Sequence, residues 1–310
     1  MRLPRSGAAL VVFAVSSASS AVYVPLREYS GRTFFDGWDF WGNVDNTTWE
    51  WPHAGEIDII EGINLQNNNQ YALHADAGCA QAAHPLQSGH TLEGDCSIPR
   101  GCIVAENKPG SYGRGFAEAG GGVYAVQLDI AGVFIWFWSR PDVPDMIRTA
   151  TSTTNMDVAA FGVPSAAYPA SGCNITQYFG PQQLVLLTTL CGSWAGVPSI
   201  YSSTCPGQCI ADNIFGPGSP TYDNAYWEIP YIRTYIAEDL APSLPPPSSS
   251  SSELPSPSPS SEPSISTSRA SPTPTGGTNI GKNGAARVGE GVLGVVAAVL
   301  GAAYVLRRAA

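Results

Sequence analysis

The chain has 310 residues, 44% hydrophobic and 13% charged, with 33 Gly, 26 Pro and 8 Trp, a size that suits one large domain or two small ones. Its charged fraction is about half that of an ordinary soluble protein, and Gly, Pro and aromatic residues take up the difference, which argues against helical bundles and coiled coils and favours short strands joined by turns. A formal net charge of −10 with only 15 Lys and Arg offers phosphates no basic face, which argues against nucleic acid as a partner and leaves neutral polymers and small neutral ligands.

Arg2 and Arg5 precede an apolar run from Gly7 to Val15, and small residues from Ser16 to Ala21 follow. This is the order of a secretory signal peptide over residues 1–21, cleaved near Ala21. The alternative is a buried N-terminal helix, but the run is too short to span a bilayer and lies at the extreme N-terminus. The 7 Cys then meet an oxidising compartment, where pairing into disulfides is the default. Asn46-Thr47-Thr48 and Asn174-Ile175-Thr176 have the form of N-glycan acceptors.

Residues 22–238 read as the folded domain. Gly121–Asp129 and Phe134–Trp138 are rich in β-branched and aromatic residues, Leu184–Thr189 is another apolar run, and the clusters Asn107–Gly110 and Gly216–Gly218 punctuate them as turns. Tyr226–Ile229 followed by Tyr231–Tyr235 predicts a closing pair of strands. Many short strands at this spacing predict an all-β domain, an antiparallel β-sandwich or jelly roll. Neither a repeat nor a long helix is evident. Residues 239–280 are dominated by Ser, Pro and Thr, which cannot bury a core and read as a disordered stalk suited to O-glycans. Residues 281–310 contain the apolar run Val292–Leu306 followed by Arg307 and Arg308. Two readings stay open for that segment. One is a GPI signal with its small-residue site at Asn283-Gly284-Ala285 or Gly276-Gly277-Thr278; the other is a short transmembrane anchor with the arginines on the cytoplasmic side. Both tether the domain to a membrane, outside the cell.

The chemistry concentrates at Trp51-Pro52-His53-Ala54-Gly55-Glu56-Ile57-Asp58-Ile59-Ile60-Glu61-Gly62. Burying unpaired carboxylates is costly, so three of them spaced by β-branched Ile should line a wet cleft. On a regular strand Glu56 and Asp58 share one face and Glu61 points to the other; one β-bulge near Ile59 and Ile60 would return Glu61 to the cleft face. Glu56 and Glu61 could then bring their carboxyl groups to about 5–5.5 Å, the separation of a retaining glycosidase, in which one carboxylate attacks the anomeric carbon and the other serves as acid and then base. Asp58 between them can hydrogen-bond the nucleophile or raise the pKa of the acid. Read from these residues alone, a calcium site and a solvated polar face remain open.

This stretch resembles the EIDIxE signature of glycoside hydrolase family 16 in the bulged, laminarinase-like form. The resemblance extends in order through Tyr29-Ser30-Gly31, Phe34–Phe40, Asn68–His74, Gly120–Ala125, Cys191–Gly196 and Asn224–Glu228. It implies a curved, concanavalin A-like jelly roll, with Glu56 as nucleophile, Asp58 as its electrostatic partner and Glu61 as acid/base. Trp51 and Trp194 match glucosyl-stacking positions, and His74 matches a cleft histidine. Ser193 replaces the Asp usual beside Trp194, which puts local substrate contacts in question. Trp136 and Trp138 are sugar platforms or core, and alternation along a strand favours core for one of them. Only about fifteen residues separate Asp39 from Gly55, where the family has several strands, so part of the sandwich is missing before the signature. With an odd number of cysteines, Cys173 with Cys191 and Cys205 with Cys209 are expected pairs, and one of Cys79, Cys96 and Cys102 is left without a partner.

The resulting expectation is a monomeric, extracellular, retaining endo-β-glucanase acting on β-1,3 or mixed β-1,3(4)-glucan, without cofactor or metal. Two rivals stay open: a cell-wall glucan transglycosylase, and a non-catalytic glucan-binding surface protein whose cleft the deletion has destroyed.

Overall fold

The computed structural model describes residues 22–38, 51–216, 222, 226–241 and 295–304. Among them the strands are β1 (Val22–Ser30), β2 (Glu56–Glu61), β3 (Gln70–His74), β4 (His90–Thr91), β5 (Cys102–Ala105), β6 (Gly122–Asp129), β7 (Gly132–Ser139), β8 (Met156–Asp157), β9 (Ala166–Pro169), β10 (Trp227–Glu228), β11 (Tyr231–Ala237) and β12 (Val295–Tyr304). They form an eight-stranded sheet in the order β8-β1-β11-β12-β6-β7-β9, with β10 on β12, and a four-stranded sheet in the order β2-β3-β5-β4. All pairings are antiparallel. The expected all-β sandwich is therefore the observed one.

Period-two alternation assembles the core. Tyr124 and Val126 of β6 and Ile135 and Phe137 of β7 face the small sheet, where Tyr71 and Leu73 of β3 and Val104 of β5 meet them. The intervening residues point the other way: Val123, Ala125, Trp136 and Trp138 pack beneath a covering segment that supplies Val143, Ile147, Met156 and Phe161. Trp136 and Trp138 are two positions apart, so they share a face, and both rings meet Phe161 edge-to-face at 5.4 Å. The expectation that only one of them is core is corrected to both. At the β6–β7 turn, Asp129 pairs with Gly132, and the Asp129 carboxylate accepts from the Ala131 N–H at 2.7 Å, closing a two-residue hairpin.

Two further expectations change. Leu184–Thr189 is not a strand: only Leu184 packs against the core, while Val185 and Leu187 are about 70% exposed. Apolar content alone did not supply a partner with free backbone groups. Trp227–Glu228 and Tyr231–Ala237 are both strands, but instead of pairing with each other each pairs with β12, and β11 also pairs with β1. The apolar C-terminal run contributes β12 as a strand between β11 and β6, in register from Val295↔Leu128 to Ala302↔Gly122 with one shift. There it satisfies two strand edges that would otherwise be open. No helix among the described residues is long and apolar enough to cross a membrane. The signal peptide, Asn46 and nearly all of the stalk lie outside the described residues, as do Asp39, Phe40, Asn224 and Ala225 of the matched segments. Asn174 is exposed and accepts a hydrogen bond from Thr176 Oγ1 at 2.8 Å.

The cysteines pair as Cys79–Cys173, Cys96–Cys102 and Cys191–Cys209, leaving Cys205 free, in place of the expected Cys173–Cys191 and Cys205–Cys209. The reason is tertiary. The Ala80 N–H donates to the Gly172 carbonyl at 3.1 Å, which brings Cys79 to Cys173 across 94 residues of sequence. Peptide mapping of unreduced protein should recover these three linkages with only Cys205 alkylated before reduction; a peptide linking Cys173 to Cys191 would contradict the fold. Removing the long-range bridge with Cys79→Ala and Cys173→Ala together should cost about 2–5 kcal/mol of stability by denaturant titration.

Candidate active site

β2 is delivered by a tight turn in which the Gly55 N–H donates to the Pro52 carbonyl at 2.9 Å. Gly55 has φ +74°, and a Cβ there would collide with the Phe179 ring, so glycine alone fits. The Ala54 carbonyl is gripped from the far side by the Gly180 N–H and by Gln182 Nε2, both at 2.9 Å.

Along β2 the register against β3 is Glu56↔His74, Ile57↔Leu73, Asp58↔Ala72 and Glu61↔Gln70. Three steps on β2 from Asp58 to Glu61 match two on β3 from Ala72 to Gln70, so β2 carries one extra residue at Ile59–Ile60, the expected bulge. Directly opposed residues in an antiparallel pair project to the same side. Positions 74, 72 and 70 are alternate residues of a regular strand, and therefore Glu56, Asp58 and Glu61 all stand on one face. Ala72 is small and leaves room opposite Asp58. On the opposite face Ile57, Ile59 and Ile60 pack against the core that holds Leu73 and Tyr71.

The polar face is wired together. The half-exposed Trp51 donates its Nε1–H to Glu56 Oε2 at 2.5 Å, and its ring lies 5.9 Å from that of His74. His74 Nε2 lies 3.3 Å from Asp58 Oδ2, close enough for charge attraction. Asp58 Oδ2 and His74 Nδ1 are buried without a hydrogen-bond partner among the described residues. Gln70 Nε2 donates to Glu61 Oε2 at 2.9 Å. His53, on the loop before β2, pairs with Asp76 at 2.7 Å on the exposed surface.

Burial, then the neighbouring Asp58 charge, push the Glu56 and Glu61 carboxyls above the usual carboxylate range. The Trp51 hydrogen bond and His74 oppose this at Glu56, and the Gln70 hydrogen bond and His74 oppose it at Glu61. Burial would lower the His74 pKa, but the adjacent Asp58 carboxylate, followed by the Glu56 and Glu61 charges, outweighs that and raises it. A site in which two carboxyls are held above their usual range is suited to proton transfer. Glu56, Asp58 and His74 also bring one ligand atom each within 4.8 Å of one another. Two carboxylates and an imidazole fall short of the six to eight oxygen ligands, roughly, that calcium takes.

The structure thus brings Trp51, Glu56, Asp58, Glu61 and His74 together. Trp194 lies in the turn after Cys191, and among the described residues neither a hydrogen bond nor a ring contact joins it to the acidic strand. Gln70 and Asn69 were not singled out from sequence, although they sit in the matched run Asn68–His74; their signal was amide side chains in a segment of otherwise strand-like character.

A family model described as an XgeA-like catalytic GH16 domain matches residues 36–235. Among curated proteins, a probable glycosidase of Schizosaccharomyces pombe is 34% identical over 194 residues, 60% of this chain and 45% of that protein. The endo-1,3(4)-beta-glucanase xgeA of Emericella nidulans is 36% identical over 195 residues, 60% of this chain and 30% of that protein. The chain thus spans less than half the length of these relatives. Among solved structures, GH16 laminarinase 16A from Phanerochaete chrysosporium, with 6-O-glucosyl-laminaritriose in donor and acceptor sites, is 30% identical with TM-score 0.50, covering 62% of this chain and 60% of that one. An elongating GH family 16 beta-1,3-glucosyltransferase is 34% identical with TM-score 0.53, covering 70% and 67%.

Because the Asp58 charge raises the Glu61 pKa, neutralising it should lower that pKa. In Asp58→Asn the Glu61 carboxyl should therefore titrate at lower pH than in the unaltered protein, as read by carbon NMR of the side-chain carboxyls. An unmoved or raised midpoint would show that Asp58 does not act on Glu61 through its charge.

Proposed function

From the premise that this chain belongs to the XgeA-like catalytic GH16 domains, we propose that it is a secreted retaining endo-β-glucanase that hydrolyses β-1,3 or mixed β-1,3(4)-glucan. The observation that carries the reading is the bulged register, which sets Glu56 and Glu61 on one face with Asp58 between them. The glucan assignment is supported by the names of relatives, and the extracellular one by the leader-like N-terminus and three disulfides.

In the first step the Glu56 carboxylate attacks the anomeric carbon, the glycosidic C–O bond breaks, and the Glu61 proton passes to the departing oxygen. The Trp51 N–H holds Glu56 at Oε2 and favours its ionised form. Burial and the Asp58 charge keep Glu61 protonated to higher pH than an ordinary carboxyl. In the second step Glu61 takes a proton from water, the hydroxide oxygen bonds to the anomeric carbon, and the Glu56 ester breaks, so that two displacements restore the starting configuration. The exposed Trp51 face is a stacking surface for a glucosyl ring at the mouth of the site.

A second reading is favoured by the similarity to the elongating glucosyltransferase: a sugar hydroxyl instead of water resolves the covalent intermediate. The two differ only in the acceptor, and product length separates them.

Glu56→Gln should reduce turnover of laminarin by at least about a thousandfold, with the fold retained by circular dichroism. Proton NMR during hydrolysis should show the β-anomer of the new reducing end first. Initial release of the α-anomer would overturn the nucleophile assignment, and products longer than the substrate would favour transfer over hydrolysis.

A further inference from the structure

A β-bulge leaves backbone groups without ladder partners, because two residues on one strand oppose one on the other. In β2 the groups affected lie between Asp58 and Glu61, immediately before the residue that must present its carboxyl to the cleft. One side chain meets both. Asn69, only 1% exposed, accepts from the Glu61 N–H through Oδ1 and donates from Nδ2 to the Ile59 carbonyl, each at 2.9 Å. A primary amide is suited to this because it offers a donor and an acceptor on one planar group.

Asn69 is itself fixed at both backbone atoms. Its N–H donates to Ser111 Oγ at 2.9 Å, and its carbonyl accepts from the Glu106 N–H at 3.0 Å. Ser111 is also 1% exposed, and its carbonyl accepts from the Tyr124 hydroxyl in the larger sheet. The bulge is thus tied through Asn69 and Ser111 to the inter-sheet core. The next residue, Gln70, lies directly opposite Glu61 and donates to its carboxylate.

We propose that Asn69 is a positioning residue for the acid/base Glu61: its side-chain amide stands in for the missing ladder bonds and holds the extra residue in β2. The inference rests on the reading of Glu61 as acid/base. If the bulge relaxed into a regular strand, the alternation beyond Asp58 would invert and Glu61 would turn towards the core, while Glu56 and Asp58, ahead of the bulge, would keep their places. Loss of Asn69 should therefore disable protonation of the leaving group and spare nucleophilic attack.

That split separates positioning from general loss of structure. Asn69→Ala in the full chain should lose about a hundredfold in kcat on laminarin, whose sugar leaving group needs a proton. On a dinitrophenyl laminaribioside, whose phenolate leaves without one, kcat/KM should stay within about threefold of the unaltered enzyme. Independently of activity, hydrogen exchange at the Glu61 amide should accelerate, while the Ile57 and Tyr71 amides keep their protection. Should the alanine variant not fold, Asn69→Asp, which keeps the acceptor for Glu61 and removes the donor to Ile59, should show the same substrate split at smaller size. Equal losses on both substrates, or no change on laminarin, would overturn the proposal, as would a Glu61 amide in Asn69→Ala that exchanges as slowly as before. If the unaltered protein turns over neither substrate, the hydrolase reading fails, and the Glu61 amide alone decides whether Asn69 holds the bulge.

Discussion

The extra residue in β2 is the constraint on which the site depends. A strand has a strict period of two, so acidic residues at 56, 58 and 61 cannot share a face unless one position is inserted. The insertion also settles the other face, since Ile57, Ile59 and Ile60 all reach the inter-sheet core. One local irregularity therefore does two jobs, gathering charge on the cleft side and apolar volume on the core side. It is held by a buried amide connected to the opposite sheet through Ser111 and Tyr124.

Gathering three carboxylates works against stability, because burial and like charge both disfavour ionisation. The site answers with a few directed contacts: Trp51 on Glu56, Gln70 on Glu61 and His74 beside Asp58. They offset the penalty without removing it, and both glutamates remain above the ordinary carboxylate range. What is unfavourable for folding is useful for chemistry, since a carboxyl that holds its proton longer is a better acid near neutral pH. The rigid surroundings that tolerate this include Gly55, packed so closely on Phe179 that no side chain fits, and Gly101, where a Cβ would collide with the Leu73 carbonyl beneath His74.

The larger sheet is closed by a strand far away in sequence. Its central position, between β11 and β6, is filled by β12 from the far C-terminal end of the chain. Both neighbours are long strands with backbone groups that need partners, and the ten-residue run Val295–Tyr304 meets that need through its backbone.

Much of the site was legible in the sequence because its information is local. The run Glu56–Glu61 states its own alternation, the break in that alternation demands a bulge, and the resemblance to family 16 attaches roles to the same residues; the register of β2 on β3 agrees. The strands β6 and β7 were likewise readable from their β-branched and aromatic content. What only the tertiary structure decided depends on partners distant in sequence. Cys79 finds Cys173 across 94 residues, Leu184–Thr189 lacks a strand to pair with, and β10 and β11 pair with β12 rather than with each other. Asn69 belongs to the same class. An asparagine in a polar run carries no mark of burial, and its importance arises only when folding places its amide against the two backbone groups that the bulge leaves open. Sequence periodicity fixes which way a side chain points along its own strand, whereas pairing is a choice among all the edges the chain presents, and that choice is made by the free energy of the whole assembled core.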